Sequence, residues 1–334
     1  MNKEQYINYL KSRNFTDDLI NNSIKDVLVF ESVLNRENLS LNDLTNNNVQ
    51  KYIDHLIENR MNSLSTLIAL GRYFYAIGLD ELYIYFTSLL GGIGVYDNIK
   101  KRVKELAGEE VSTSIFTDLN IPPLGSSPVK YLPVTEELMK RMKSNLSTRI
   151  YQKALAGNNH EILAESFYEY KEIFKKSGNI DEFLKNHHGR SIKTLTQYCQ
   201  EGKIWFEQKI TPEVIEFVSN NQEILSGVRK GNYIYVSKIP YQPAQYLYET
   251  NEKNKRYLAC HCPLARESIM SDSKSMDYEW CYCSAGFEKF MFDIIFEEDT
   301  EVEVLESVLR GDLRCRFAIK IPGRYLTLIS SKAV

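Results

Sequence analysis

The 334-residue chain has no apolar run of about 18 residues, the length that a membrane-crossing helix needs. Its opening stretch, MNKEQYINYLKSRNF, is polar and carries none of the apolar core of a secretory signal. A cytoplasmic location is therefore expected. Positive charge is also not in excess: 41 Lys and Arg stand against 44 Asp and Glu, a net charge of -3. That balance argues against a protein that coats nucleic acid or an anionic membrane. No Gly-rich phosphate loop, dinucleotide fingerprint or His-Glu-x-x-His helix occurs, which removes three common routes to nucleotide or zinc-hydrolase chemistry. What remains is an ordinary soluble composition, 43% hydrophobic and 25% charged, in a chain long enough for two or three domains.

Residues 3 to 108 read as helices. Segments such as DLINNSIKDVLVFESVLN, TNNNVQKYIDHLIENR and SLSTLIALGRYFYAIG place apolar residues three and four apart. Thr45 and Ser63 are expected as N-caps, and DNIKKRVKELAG as the last helix. The Pro, Gly and Ser of NIPPLGSSPVKYLPV mark a boundary. The expected division is a bundle over 1–110, a linker over 111–133 and a second domain over 134–334. That second domain is again helical up to about residue 225, with Pro212 after a Thr211 cap. Beyond Gly227, β-branched and aromatic residues alternate in NYIYVSKIP, AQYLYET, RYLACHC, EVEVLESVL and LRCRFAIKIP. With turns at TNEKNK and RGD, and SAGFEKFMFDIIF at helical spacing, the order is hairpin, helix, hairpin. An α+β domain with an antiparallel sheet follows.

The thiols are crowded. Five of the six cysteines, Cys260, Cys262, Cys281, Cys283 and Cys315, fall between residues 260 and 315. Reducing surroundings favour metal binding, catalysis or plain burial over disulfides. On a strand, Cys260 and Cys262 would share one face and His261 the other. Cys281 and Cys283 would lie at a helix start, where the partial positive charge favours thiolate. Two Cys-x-Cys pairs and a fifth Cys offer soft donors for zinc, although structural zinc sites more often use Cys-x-x-Cys. Metal binding, inert packing and nucleophilic chemistry all stand. Cys262, aimed by Pro263, is the candidate nucleophile, and Glu267 its candidate proton carrier. Arg266 is expected to hold a carboxylate, with Glu267 and His261 beside it as ligand contacts. Arg266 and Glu267 can equally be read as a solvated ion pair. His187, Arg190 and Tyr198 imitate a recombinase active site, but too little chain precedes them for such a domain.

YLKSRNFTDDLINNSIKDVLVFESVL and the two helices after it resemble the core-binding domain of tyrosine recombinases, which implies a DNA clamp. The charge opposes that role: residues 1–100 hold nine Lys or Arg and twelve Asp or Glu, and phosphate contacts need clustered cations. Homodimer formation or partner docking is the favoured reading. From about residue 200 on, WFEQKITPEVIEFV, KRYLACHCPLARESI and WCYCSAGFEKFMFD look like an uncharacterised bacterial family. More distantly, this part resembles the L-2-amino-thiazoline-4-carboxylic acid hydrolase family and the vinyl-reductase-like domain of bacterial sensors of small aromatic molecules. In those sensors, cysteines matching Cys281 (five before Gly286) and Cys315 (within Gly311-Asp312-x-x-Cys-x-Phe317) join a third cysteine and a glutamate on zinc. Here Ser307 takes the third cysteine's place by spacing, and Glu306 is off the glutamate's. The resemblance then implies completion by Cys283, Cys260 or Cys262.

The expected function is small-molecule binding, in the manner of a sensor, with a cysteine-rich and zinc-binding site. A hydrolase of a small cyclic C–N or C–S substrate and a ligand-responsive DNA-binding protein are the alternatives. On charge grounds, the full chain should show no DNA binding that weakens steeply between 50 and 200 mM salt, measured by fluorescence anisotropy on duplex DNA. Micromolar binding with such a slope would overturn the charge argument.

Overall fold

A computed structural model describes residues 2–271 and 276–326. The chain forms two compact units, one of residues 1–92 with 121–131 and one of residues 93–120 with 132–334. Residues 93–120, expected partly in the bundle and partly in the linker, thus group with the second unit. The glycines of LLGGIG, not the later proline-rich stretch, mark the first crossing.

The first unit is helical throughout: α1 (Lys3–Ser12), α2 (Asp17–Arg36), α3 (Asn46–Glu58), α4 (Leu64–Ala76) and α5 (Asp80–Leu90). Thr45 and Asn48 form a capping box on α3, and Ser63 caps α4, as their positions before apolar-periodic runs require. The periodic apolar faces meet in one core of Val27, Phe30, Ile53, Leu70, Phe74 and Phe86, among others.

The second unit opens with helices α6 (Val95–Ala107), α7 (Glu109–Phe116), α8 (Leu132–Asn145), α9 (Thr148–Leu155), α10 (Tyr168–Lys176) and α11 (Ile180–Gln200). A two-stranded ribbon, β1 (Ile204–Trp205) and β2 (Gln208–Lys209), leads to α12 (Pro212–Ser219), capped by Thr211. The hairpin β3 (Val228–Lys230) and β4 (Tyr233–Ser237) follows. Next come α13 (Pro243–Tyr248), α14 (Glu252–Ala259) and α15 (Tyr282–Phe296), then β5 (Val302–Glu306) and β6 (Arg316–Lys320). The four longer strands make one antiparallel sheet in the order β3-β4-β6-β5. The protein is α+β. Ile234, Val236 and Ile319 of the sheet pack with Phe183 of α11 and with Phe292, Ile295 and Phe296 of α15.

Two expected strands are helices. AQYLYET becomes α13 because Pro243 sits in the first turn, where its fixed φ suits a helix and its missing N–H costs nothing. RYLACHC becomes the end of α14 because Asn251 caps that helix, accepting from the Asn254 N–H at 3.0 Å. TNEKNK is therefore a helix start and not a turn. The first hairpin turns earlier, at residues 231–232, between β3 and β4. The RGD turn does lie between β5 and β6.

Gly286 fixes how α15 meets the turn after α9. A Cβ there would stand 2.5 Å from the Gly157 carbonyl oxygen and 2.7 Å from the Ala156 carbonyl carbon. Both are backbone atoms, so only glycine permits the approach. Gly286→Ala should lower stability by about 1–3 kcal/mol, the usual cost of overpacking. Gly157→Ala, whose Cβ would meet nothing closer than 3.4 Å, should lose less. Urea denaturation of both variants checks this; equal losses would contradict it.

Candidate functional site

The end of α14 and the exit of β4 hold the sequence-predicted residues together. Cys260 caps α14, its N–H reaching the Arg256 carbonyl at 3.1 Å, and Pro263 prevents the helix from continuing past this point. Cys260 and Cys262 therefore do not share one face of a strand, as the sequence suggested. His261 Nε2 donates to the Ile239 carbonyl at 2.7 Å. That bond sets the tautomer, since a carbonyl only accepts. The ring stacks edge-on to Tyr241 at 5.4 Å. Burial holds His261 neutral, well below the usual imidazole range, and the charge of Lys238 adds to the effect.

Arg266 lies on a short 3-10 turn and is only 8% exposed. Its guanidinium carbon sits 4.6 Å from the ring centre of Tyr241 and 4.9 Å from that of Tyr257. Nε has no hydrogen-bond partner among the described residues. The Glu267 carboxylate comes to 3.9 Å, beyond hydrogen-bond distance, because it is engaged by the Tyr257 hydroxyl at 2.8 Å. The two charges therefore pair at 3.9 Å, but as a mostly buried contact and not as the solvated pair expected. A buried guanidinium is held between two aromatic faces instead, an arrangement worth about 0.5–2 kcal/mol per face. Removing an ion from water costs several kcal/mol, so the faces alone do not offset burial.

Lys238, next after β4, is the second cation. Its backbone N–H donates to the Cys315 carbonyl at 3.0 Å, and its Nζ lies 4.8 Å from the Phe287 ring centre and 3.6 Å from Glu288 Oε1. Both side chains keep slight accessibility, 11% and 14%. Burial pushes the Glu288 carboxyl up and the Lys238 charge opposes the shift, so Glu288 is a weakened counter-ion. The Lys238 charge also acts on His160, His261, Cys262, Cys283 and Cys315, which places these groups in one electrostatic neighbourhood.

The thiols fall into separate environments. Cys262 Sγ accepts from the buried Trp280 indole at 3.3 Å, and burial raises its pKa. Neither candidate histidine is seen at it among the described residues: His187 of α11 is packed between Phe183 of the same helix and Tyr170 of α10, and His188 lies beside Ser226. Cys281 Sγ is 3.1 Å from Ser307 Oγ and hydrogen-bonded to Cys315. The bond to Cys315, with burial behind it, lifts Cys281 well above the usual thiol range. Cys260 packs in the same apolar cluster as Cys315, and burial raises it too. Cys283, on the first turn of α15, instead faces an imidazole: its Sγ is 3.5 Å from His160 Nε2. Nothing in the sequence marks His160, which lies 123 residues away in a loop without a motif.

Residues 234–325 match the profile of a family of unknown function, DUF6144. No curated protein and no solved structure matches the chain. The matched segment runs from β4 almost to the end of the described chain and carries Lys238, His261, Arg266, Glu288 and the five crowded thiols, but not His160.

Among the described residues, no three His, Cys, Asp or Glu side chains converge as a metal-binding group. Ser307 stands against Cys281, and Glu306 is taken by Arg314, with both of its oxygens at 2.8 Å. This donor set does not fit the four-coordinate zinc shell that the thiol spacing suggested. An open groove of about 520 Å³ lies elsewhere, beside Phe217, Leu247 and Tyr248. Its only charges are those of Glu213 and Glu216, and the thiols and cations are not part of it. Protein purified under reducing conditions should therefore carry far less than one zinc per chain by elemental analysis. Stoichiometric zinc that is released by Cys281→Ser would show that the thiols close on a metal.

Proposed function

We propose that the second unit binds a small organic carboxylate, with Arg266 as its anchor. The observation that carries this reading is the buried guanidinium held between Tyr241 and Tyr257 with no carboxylate in hydrogen-bond reach. Guanidinium geometry matches a carboxylate with two parallel N–H···O bonds. A bound carboxylate would supply the directed hydrogen bonds that Glu267, at 3.9 Å, does not make to Nε. Lys238 adds a second positive charge in the same neighbourhood, and neutral His261 adds a ring wall without competing for the anion.

The reading makes a prediction about the free protein as well as the bound one. An arginine kept for a ligand is a burden on the unliganded fold, so Arg266→Met should be as stable as the parent or more stable. An arginine kept for structure should cost about 3–5 kcal/mol on removal. Thermal unfolding with a panel of small aromatic and aliphatic monocarboxylates should raise the parent's midpoint and leave that of Arg266→Met unchanged. Equal stabilisation of both proteins, or of neither by any carboxylate, would contradict the anchor.

A further inference from the structure

We propose that Cys283 and His160 form a thiol–imidazole pair that cleaves an acyl bond of the carboxylate-bearing ligand. The anchor for that substrate rests on the Arg266 reading above; the pair itself does not.

Three observations carry the pair. The first is contact: Sγ and Nε2 lie 3.5 Å apart, within the reach of a thiol hydrogen bond. The second is the rigidity of the base. His160 sits in a loop pinned by Asn159, whose Nδ2 donates to the Leu155 carbonyl at 2.6 Å and the Ala154 carbonyl at 3.2 Å. Asn98 grips the Asn159 carbonyl at 3.1 Å, and Asn158 accepts from the Ile162 N–H at 2.9 Å. The imidazole meets the Phe287 ring edge-on at 5.6 Å, and the close approach at Gly286 seats this loop against α15. The third is charge: Lys238 acts on Cys283 and His160 together. A thiol kept only for packing needs none of these.

Protonation fixes how the pair works. Burial raises the Cys283 thiol and lowers His160 to about 4, so the resting pair at neutral pH is S–H and neutral imidazole. His160 then acts as a general base and not as half of a standing ion pair. As Sγ attacks an amide or ester carbonyl carbon, its proton passes to His160 Nε2 and the S–C bond forms. The carbonyl π electrons move to oxygen, which the Lys238 ammonium stabilises. Collapse of that oxyanion breaks the bond to the amine or alcohol, and Nε2–H returns the proton to the leaving group. Water, with His160 again as base, cleaves the thioester. The products are a carboxylic acid, the amine or alcohol, and the free thiol. Net, one water is consumed, and no oxidant or metal is needed.

The test is alkylation of the native full-length protein by iodoacetamide and by iodoacetate, mapped by peptide mass. Cys283 should react at least tenfold faster than Cys260, Cys281 or Cys315. His160→Gln should slow it at least tenfold without changing the thermal midpoint. Between pH 6 and 8 the parent rate should stay nearly flat, because the base is already free. In His160→Gln it should rise about tenfold per pH unit, as for a simple thiol. Arg266→Met should slow iodoacetate but not iodoacetamide; equal rates there would sink the anchor and leave the pair standing. Burst release of p-nitrophenol from its succinate monoester by the parent, absent in Cys283→Ser, would establish the acyl step. Cys283 reacting no faster than the other buried thiols, an unchanged rate in His160→Gln, or no burst would overturn the proposal.

Discussion

The second unit is organised around a positive charge that it has removed from water. Arg266 reaches that state only because two tyrosines from different elements close on it, Tyr241 beyond the exit of β4 and Tyr257 from α14. Each is held in turn. Tyr257 is tied to Glu267, whose carboxylate stays 3.9 Å from the guanidinium, within reach of its charge but beyond hydrogen-bond distance. The chain beside Tyr241 is tied to the end of α14 through His261 and Ile239. The indole of Trp280 on Cys262 then fastens the segment after α14 to the start of α15. Loss of the Tyr257–Glu267 tie would free that carboxylate to close on the cation.

Burial acts on the nearby thiols and imidazoles in one direction: it disfavours every charged form. Cys260, Cys262 and Cys283 are pushed up, and His160 and His261 are pushed down. The result is a set of neutral groups around two fixed cations, each with one carboxylate near it, Glu267 at 3.9 Å from Arg266 and Glu288 at 3.6 Å from Lys238. Within that set the thiols are not equivalent. Cys281 and Cys315 are engaged with each other and Cys262 with Trp280, while Cys283 is the one seen against a base.

Much of the fold was legible in the sequence because its signals are local. Thr45, Ser63 and Thr211 cap the helices they precede, and the period of Phe290, Met291 and Ile294 falls on α15. The α+β class follows from the strand composition after Gly227. The misreadings also have local causes: aromatic residues in AQYLYET and RYLACHC suggested strands, but Pro243 and the Asn251 cap outweighed side-chain propensity. The site was legible in part. Arg266 and the thiols announced themselves by type and crowding, but whether Arg266 met solvent or aromatic rings depended on Tyr241, 25 residues earlier in the chain. His160 gave no signal at all, because its partner is supplied by a tertiary approach that rests on Gly286.

The central claim is that the Arg266 guanidinium awaits a carboxylate. It is tested most directly by following the Arg266 Nε–H resonance in protein labelled with ¹⁵N-arginine, assigned by its loss in Arg266→Met, during titration with small monocarboxylates. The account predicts a saturable shift of that resonance with at least one carboxylate and none with chloride at the same ionic strength. A resonance that stays unmoved throughout, or moves equally with chloride, would contradict it.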